Sequence, residues 1–258
     1  MNDARTIRRR LLATLRCIAF SALLPGTGTG TGAGSGQLYA QAAPAPPAAI
    51  AKTPASPWEQ AIQEFEAADR LHPPPRDGVL FVGSSSIRMW KLAESFPGLP
   101  VIPRGFGGSR IADSTEFAAR IVLPAKPRVV ILYAGDNDVA GGRTAAGVLE
   151  DFKAFVAAVH AGLPEARIVF ISIKPSPARW ALWPEMQKAN ALVRAHAEGL
   201  SFLRFLDVTA LMLGADGQPR PELYVEDRLH MSPAGYRVWV DLVKLAVPEL
   251  SRGGSAPR

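Results

Sequence analysis

Five short apolar runs punctuate this chain, at 79–82, 101–102, 128–134, 167–173 and 202–208. Between them, apolar residues recur every three or four positions, as on one face of a helix. Val79-Leu80-Phe81-Val82 is uninterrupted and rich in β-branched and aromatic side chains, the pattern of a strand buried on both faces. Gly83 ends it, Ser84-Ser85-Ser86 follow, and Ile87, Met89 and Trp90 resume at helical rhythm, predicting a strand, a tight turn and a helix to about Phe96. Val101-Ile102 predicts a short second strand that leads into Arg104-Gly105-Phe106-Gly107-Gly108-Ser109 and a helix carrying Ile111, Phe117 and Ile121 as far as Pro124. The third strand precedes a helix at about 144–160 with Val148, Phe152, Phe155 and Val159 on one stripe. The fourth leads through Lys174-Pro175-Ser176-Pro177 to a helix at about 184–198. After the fifth strand and a Gly214-Ala215-Asp216-Gly217 turn, Ser232-Pro233 caps a last helix carrying Tyr236, Trp239, Leu242 and Val243. Ahead of the first strand, Ser56-Pro57-Trp58-Glu59 has the spacing of a capping box, and Trp58, Ile62, Phe65 and Leu71 line one helix face up to Pro73-Pro74-Pro75. Five strands, each followed by a helix, predict an α/β fold with a parallel sheet wrapped on both faces.

At 258 residues, 48% hydrophobic and 20% charged, the chain can bury one sizeable core. Its formal charge of +6 is unevenly spread: residues 1–42 hold five arginines against one aspartate. The remainder is nearly neutral and has no dense basic stripe, which argues against nucleic-acid binding. Residues 1–42 read as an export signal, with a basic start, an apolar stretch from Leu11 to Leu24 and Ala40-Gln41-Ala42 as a cleavage site. An uncleaved anchor and a start placed too early fit the same residues. The apolar stretch is short and interrupted by Arg16, so no stable membrane insertion is expected after the signal is removed. The expected location is periplasmic or secreted. Residues 43–57 form an Ala/Pro-rich tether, 58–250 the folded domain and 251–258 a disordered tail. The only cysteine, Cys17, lies in the leader, so the mature chain would have no thiol chemistry and no disulfide.

Four strand ends carry candidate chemistry, where ligands bind in open α/β sheets. Ser84-Ser85-Ser86 puts hydroxyls at a helix start, as a nucleophile or as an ordinary N-cap. Gly105, Gly107 and Gly108 let backbone N–H groups approach a ligand, or merely form a turn. Asn137 can donate to a developing oxyanion or close an Asx turn, and its neighbours Asp136 and Asp138 alone make a poor metal site. Asp227-Arg228-Leu229-His230 puts a carboxylate within reach of one imidazole nitrogen and leaves the other free as a base. Of the four histidines, only His230 combines such a carboxylate with a loop at this end of the sheet.

Taken in chain order, these four blocks resemble the SGNH, or GDSL-type, hydrolase family over about 78–247. The resemblance implies a three-layer α/β/α sandwich with a flavodoxin-like sheet in order 2-1-3-4-5, and ester hydrolysis without cofactor or metal. It assigns Ser85 as nucleophile, His230 as base and Asp227 as its orienter. The Ser85 and Gly108 N–H groups and the Asn137 side chain become the oxyanion hole. Ser84 stands where the family usually has Asp, leaving adjacent hydroxyls as rivals. The Gly-Ser-Ser-Ser-Ile-Arg form is similar to the branch containing platelet-activating-factor acetylhydrolase-like and acetylesterase members. The expected substrate is therefore a short-chain acyl ester, such as an O-acetyl group on a carbohydrate or small molecule.

Arg88, Phe106, Arg143, Lys174, Arg179 and Trp180 are expected on the substrate rim. Trp180 and Trp183 would stack on a sugar or pack the following helix, and Lys174, Arg179 and Arg143 would face an anion. Lysophospholipase, thioesterase and arylesterase activities fit the same site. A non-catalytic carbohydrate-binding envelope protein is a rival from another class, weakened by all four blocks being filled. A nucleotide or flavin binder would need the G-x-G-x-x-G spacing after the first strand, which is absent.

Overall fold

A computed structural model describes residues 56–248; the expected export signal, the tether up to residue 55 and the tail lie outside the described residues. The strands β1 (Val79–Gly83), β2 (Val101–Gly105), β3 (Val129–Tyr133), β4 (Arg167–Ile171) and β5 (Leu203–Leu206) form one parallel sheet in order β2-β1-β3-β4-β5. This is the expected topology.

Successive side chains point to opposite faces, and both faces are covered. Leu80, Val82, Val130, Leu132, Ile168 and Phe170 pack under α1 (Glu59–Leu71), α4 (Ile111–Glu116), α5 (Ala118–Ile121), α7 (Ala145–Gly162) and α8 (Trp183–Glu198). Val79, Phe81, Val129, Ile131, Tyr133, Val169 and Ile171 pack under α2 (Ser85–Arg88), α3 (Leu92–Ser95), α9 (Thr209–Met212) and α10 (Pro233–Ala246). Burial of both parities is why the strands read as unbroken apolar runs rather than alternating ones. A further short helix, α6 (Asp136–Ala140), follows β3. Among the described residues no helix is long and apolar enough to cross a membrane.

The helix starts follow local chemistry in two cases. Thr144 Oγ1 accepts from the Gly147 N–H at 3.2 Å to cap α7, and Ser232 Oγ accepts from the Gly235 N–H at 3.3 Å, with Pro233 opening α10. The expected capping box at α1 does not form. Trp58 takes the N-cap position, Ser56 contributes only its carbonyl, and the Glu59 carboxylate is drawn to Arg120 at 2.8 and 3.0 Å. Leu71 at the end of that helix is exposed rather than packed.

Two expected helices are each broken in two. The segment after Ser84 breaks between α2 and α3 because Trp90 turns inward against Phe81 and Phe96, its indole N–H donating to Ser95 Oγ at 2.9 Å. The segment from Ile111 breaks at Phe117, whose ring lies edge-on to Phe106.

β2 is longer than expected and includes Pro103, paired with Phe81 at the sheet edge. The Phe106 N–H donates inward to the Gly83 carbonyl at 2.9 Å, so by period two the Pro103 nitrogen faces the open edge, where a missing N–H costs no ladder bond.

Trp239 is wholly buried and its ring meets Trp90 and Tyr133, with centroids 5.6 and 4.7 Å away. Trp239→Ala should lower unfolding stability by roughly 3–5 kcal/mol. Urea melts of both proteins check this, and a loss below about 1 kcal/mol would contradict the packing described.

Candidate active site

The ends of β1, β2 and β3 are level: Gly83 pairs with Gly105 on one side and Tyr133 on the other. Gly83 has φ +137°, and a Cβ there would lie 1.9 Å from the Tyr133 carbonyl oxygen. Only glycine lets the chain turn so close to β3. Ser84 is extended, and its carbonyl accepts from the Ile87 and Arg88 N–H groups at 3.0 and 3.1 Å, closing the first turn of α2. Ser84 and Ser86 are each 1% exposed, whereas Ser85 is only partly buried. Of the three neighbouring hydroxyls, Ser85 is the one presented outward.

Its partner comes from a turn 145 residues on. Asp227 Oδ1 accepts from the Leu229 and His230 N–H groups at 2.9 and 2.8 Å, while the Val225 N–H donates to the His230 carbonyl at 2.9 Å. Arg228 takes positive φ, +57°, to complete this turn. Asp227 Oδ2 then lies 2.6 Å from His230 Nδ1, and His230 Nε2 lies 2.9 Å from Ser85 Oγ. The carboxylate can only accept, so it favours the tautomer with the proton on Nδ1 and leaves Nε2 to accept from the serine hydroxyl. The bond from His230, aided by the two backbone N–H groups, holds the Asp227 carboxyl down at about 2, so it stays ionised at neutral pH. Such a relay can remove the Ser85 proton as its oxygen attacks an electrophile.

Two more blocks border it. Gly108 is exposed at φ +81° with open space around its Cα, and neither its N–H nor that of Ser85 meets an acceptor among the described residues. Asn137, at the start of α6, donates through Nδ2 to the Ser109 carbonyl at 3.0 Å and accepts at Oδ1 from Arg179 Nη2 at 2.9 Å. Asp138 accepts at Oδ1 from the Ile111 N–H at 3.1 Å, tying the same turn to the start of α4.

Behind Asn137 lies a buried polar cluster that local sequence signals do not reveal. Lys174 Nζ donates to the Tyr133 hydroxyl at 3.0 Å and to Asp136 Oδ2 at 3.1 Å, and Arg179 Nη1 lies 3.2 Å from the same carboxylate oxygen. Burial works against the Asp136 charge, yet the two basic groups outweigh it and hold the carboxyl below its usual range. Burial keeps the Tyr133 hydroxyl neutral. The only outward clue to this cluster is polar side chains three residues past the apolar ends of β3 and β4.

The rim expectations need correction. Lys174 is 1% exposed and serves the cluster, not a ligand. Phe106 is also 1% exposed, packed edge-on between Trp58 and Phe117 beneath the glycine loop. Arg143 is held by Asp151 through two bonds at 2.8 and 2.7 Å. Trp180 stacks on the buried Trp183 at 5.9 Å and packs on the core while part of its surface stays exposed. Arg179 turns inward to Asn137. Arg88 remains exposed, lying so close over Gly107 that a Cβ there would be 2.9 Å from its Nε. Among the described residues no group of three or more His, Cys, Asp or Glu side chains could hold a metal ion.

A parallel sheet covered on both faces, with serine, histidine and aspartate joined at its carboxyl edge, defines a carboxylic ester hydrolase of the α/β class. The chain belongs to the GDSL-like lipase/acylhydrolase family, whose model matches residues 82–238. It is 30% identical over 175 residues to platelet-activating factor acetylhydrolase IB subunit alpha1 of Pongo abelii, covering 61% of this chain and 70% of that one. Among solved structures it is similar to a GDSL-like lipase from Bacteroides thetaiotaomicron, with TM-score 0.63, 21% identity and coverage of 73% and 97%. It is also similar to a variant of an acetyl-xylooligosaccharide esterase from Geobacillus Stearmophilus, with TM-score 0.55, 17% identity and coverage of 70% and 97%.

The Asp138 carboxyl, 1% exposed, is pushed up to about 6 by burial. The folded state therefore binds a proton that the unfolded chain releases near pH 4, and stability from this group falls as pH rises from about 4 to 6. Asp138→Asn keeps an acceptor for Ile111 and removes the titration. Denaturant melts from pH 4 to 7 should show a fall in stability on the order of 2–3 kcal/mol smaller in the variant. Parallel pH profiles would show that Asp138 ionises freely.

Proposed function

We propose that this protein is a serine esterase that hydrolyses short-chain acyl esters, with O-acetyl groups on a carbohydrate or other small molecule as its substrates. The observation that carries the reading is the continuous contact from Asp227 Oδ2 to His230 Nδ1 at 2.6 Å and from His230 Nε2 to Ser85 Oγ at 2.9 Å.

In this reading Ser85 Oγ attacks the ester carbonyl carbon as its proton passes to His230 Nε2. The carbonyl oxygen takes the electron pair and is met by the Ser85 and Gly108 N–H groups and Asn137 Nδ2. The C–O bond to the alcohol breaks as the oxyanion collapses, and His230 returns its proton to the departing oxygen. Water, deprotonated by the same imidazole, then attacks the acyl-enzyme and releases the carboxylic acid and Ser85. Asp227 keeps the ring oriented and stabilises the imidazolium.

The acetyl preference draws support from two similar proteins, an acetylhydrolase subunit and an acetyl-xylooligosaccharide esterase. The export signal expected at 1–42 supports an envelope or extracellular glycan as carrier. One observation favours a longer acyl chain. A groove of about 530 Å³ is lined by Met89, Trp90, Met231, Tyr236 and Val240, with Lys91, Glu94 and Arg237 also on its walls. Met89 lies one turn beyond Ser85, and Met231 follows His230 in the chain.

p-Nitrophenyl acetate, butyrate and octanoate separate these readings. Acetate should turn over fastest, Ser85→Ala should abolish hydrolysis of all three, and Asp227→Asn should lower kcat on the order of 10⁴-fold by favouring the wrong tautomer. A maximum at octanoate would assign the groove to the acyl chain. Undiminished hydrolysis by folded Ser85→Ala would remove Ser85 as nucleophile.

A further inference from the structure

Arg179 is neither a surface arginine nor a simple counter-ion. Its guanidinium bridges Asp136, at 3.2 Å from Nη1, and Asn137, at 2.9 Å from Nη2. The Asn137 amide is thereby held from both ends, because its Nδ2 donates to the Ser109 carbonyl at 3.0 Å. We propose that Arg179 is a positioning residue of the oxyanion hole, which locks the Asn137 amide with its N–H₂ end in place and sets a positive charge behind it.

The inference rests on the reading of Asn137 as an oxyanion donor. An asparagine amide is nearly symmetric in shape, and turning it by a half-rotation exchanges a donor for an acceptor. In the wrong orientation Oδ1 would repel the developing oxyanion. A guanidinium can only donate and a backbone carbonyl can only accept, so the turned amide would face N–H₂ against guanidinium and oxygen against oxygen. Both neighbours reject it. After the bond to Ser109, Nδ2 keeps a second hydrogen, and donation from a cation to Oδ1 polarises the amide and strengthens that remaining donor.

Asp136 does not depend on Arg179 alone. Lys174 already bonds that carboxylate at 3.1 Å and is anchored in turn by the Tyr133 hydroxyl at 3.0 Å. Arg179 reaches past that carboxylate to Asn137 through Nη2 at 2.9 Å, in a wall that is only partly solvated. The backbone agrees. Within the 3₁₀ segment Pro177–Leu182, Arg179 is the residue that leaves helical geometry, at φ −118° and ψ 24°. The Ala178 N–H donates to the Arg228 carbonyl at 3.1 Å, fastening this segment to the turn that carries His230.

A double-mutant cycle on p-nitrophenyl acetate hydrolysis tests the proposal, using the wild type, Arg179→Ala, Asn137→Ala and the pair. Asn137→Ala should lower kcat by roughly 10²–10³. Arg179→Ala should lower kcat by about 10- to 100-fold with KM unchanged within about twofold, and should cost less than about twofold further once Asn137 is gone. Arg179→Lys, which keeps charge beside Asp136 but lacks the fork that spans to Asn137, should lose kcat in the same coupled way and serves if Arg179→Ala does not fold. A loss of equal factor in both backgrounds, a loss carried by KM, or no loss would overturn the role of Arg179. No loss in Asn137→Ala would instead overturn Asn137 as a donor, and the inference with it.

Discussion

A parallel sheet covered on both faces leaves its strand ends as the places where polar groups can gather beside a well-packed core, and here three of those ends are level. The alignment of Gly83 with Gly105 and Tyr133 is set by the inter-strand ladder, which continues one step past the strands through the Ser84 and Phe106 N–H groups. Everything in the site is measured from that line. Ser85 rises from β1, the glycine loop from β2 and Asn137 from β3, each within a few residues of a backbone that cannot shift without breaking ladder bonds. The His230 turn is the one component that comes from outside the central strands. It is also the one with the most complete internal bonding, through the Asp227 carboxylate. A segment with no sheet to position it carries its own frame.

The cluster behind Asn137 shows how the same sheet tolerates charge. A buried carboxylate is costly unless several groups answer it. Asp136 is met by Lys174 and Arg179, which arrive from the end of β4, the neighbour of β3 in the sheet. Neither basic residue reaches solvent freely, so the electrostatics of this corner belong to the protein rather than to the buffer. The site is polar on its open side and charged in its wall, where the buried Tyr133 hydroxyl anchors Lys174.

Legibility from the chain followed the range of the interactions. The three central strands were legible because their apolar runs report burial on two faces. Asp227 and His230 were legible because their contact closes within three residues. The block order, joined to the family resemblance, brought out Ser85, Gly108 and Asn137. What escaped was long-range. Lys174 after an apolar strand looks like a rim amine, and only the fold reveals Asp136 waiting 38 residues upstream. Phe106 in a glycine run looks like a ligand contact until Trp58 and Phe117 are seen on either side. The Ser56 capping pattern was locally sound, but Arg120, 61 residues from Glu59, competed successfully for its carboxylate. Both broken helices fail at an aromatic residue that the core pulled inward. Local pattern cannot announce a partner that has not yet arrived in the sequence.

The proline in β2 has a meaning for the molecule among its own kind. An outer strand of a parallel sheet is a template on which another extended chain can zip, adding strand to strand without limit. At Pro103 the outward-facing nitrogen carries no hydrogen, so an incoming strand finds a gap in the middle of a five-residue edge. Beside it, the Arg104 side chain is clasped by Asp69 of α1, which lies against this flank of the sheet. The sheet therefore terminates here by composition as well as by topology. At high protein concentration the β2 side would stay closed to polymerisation.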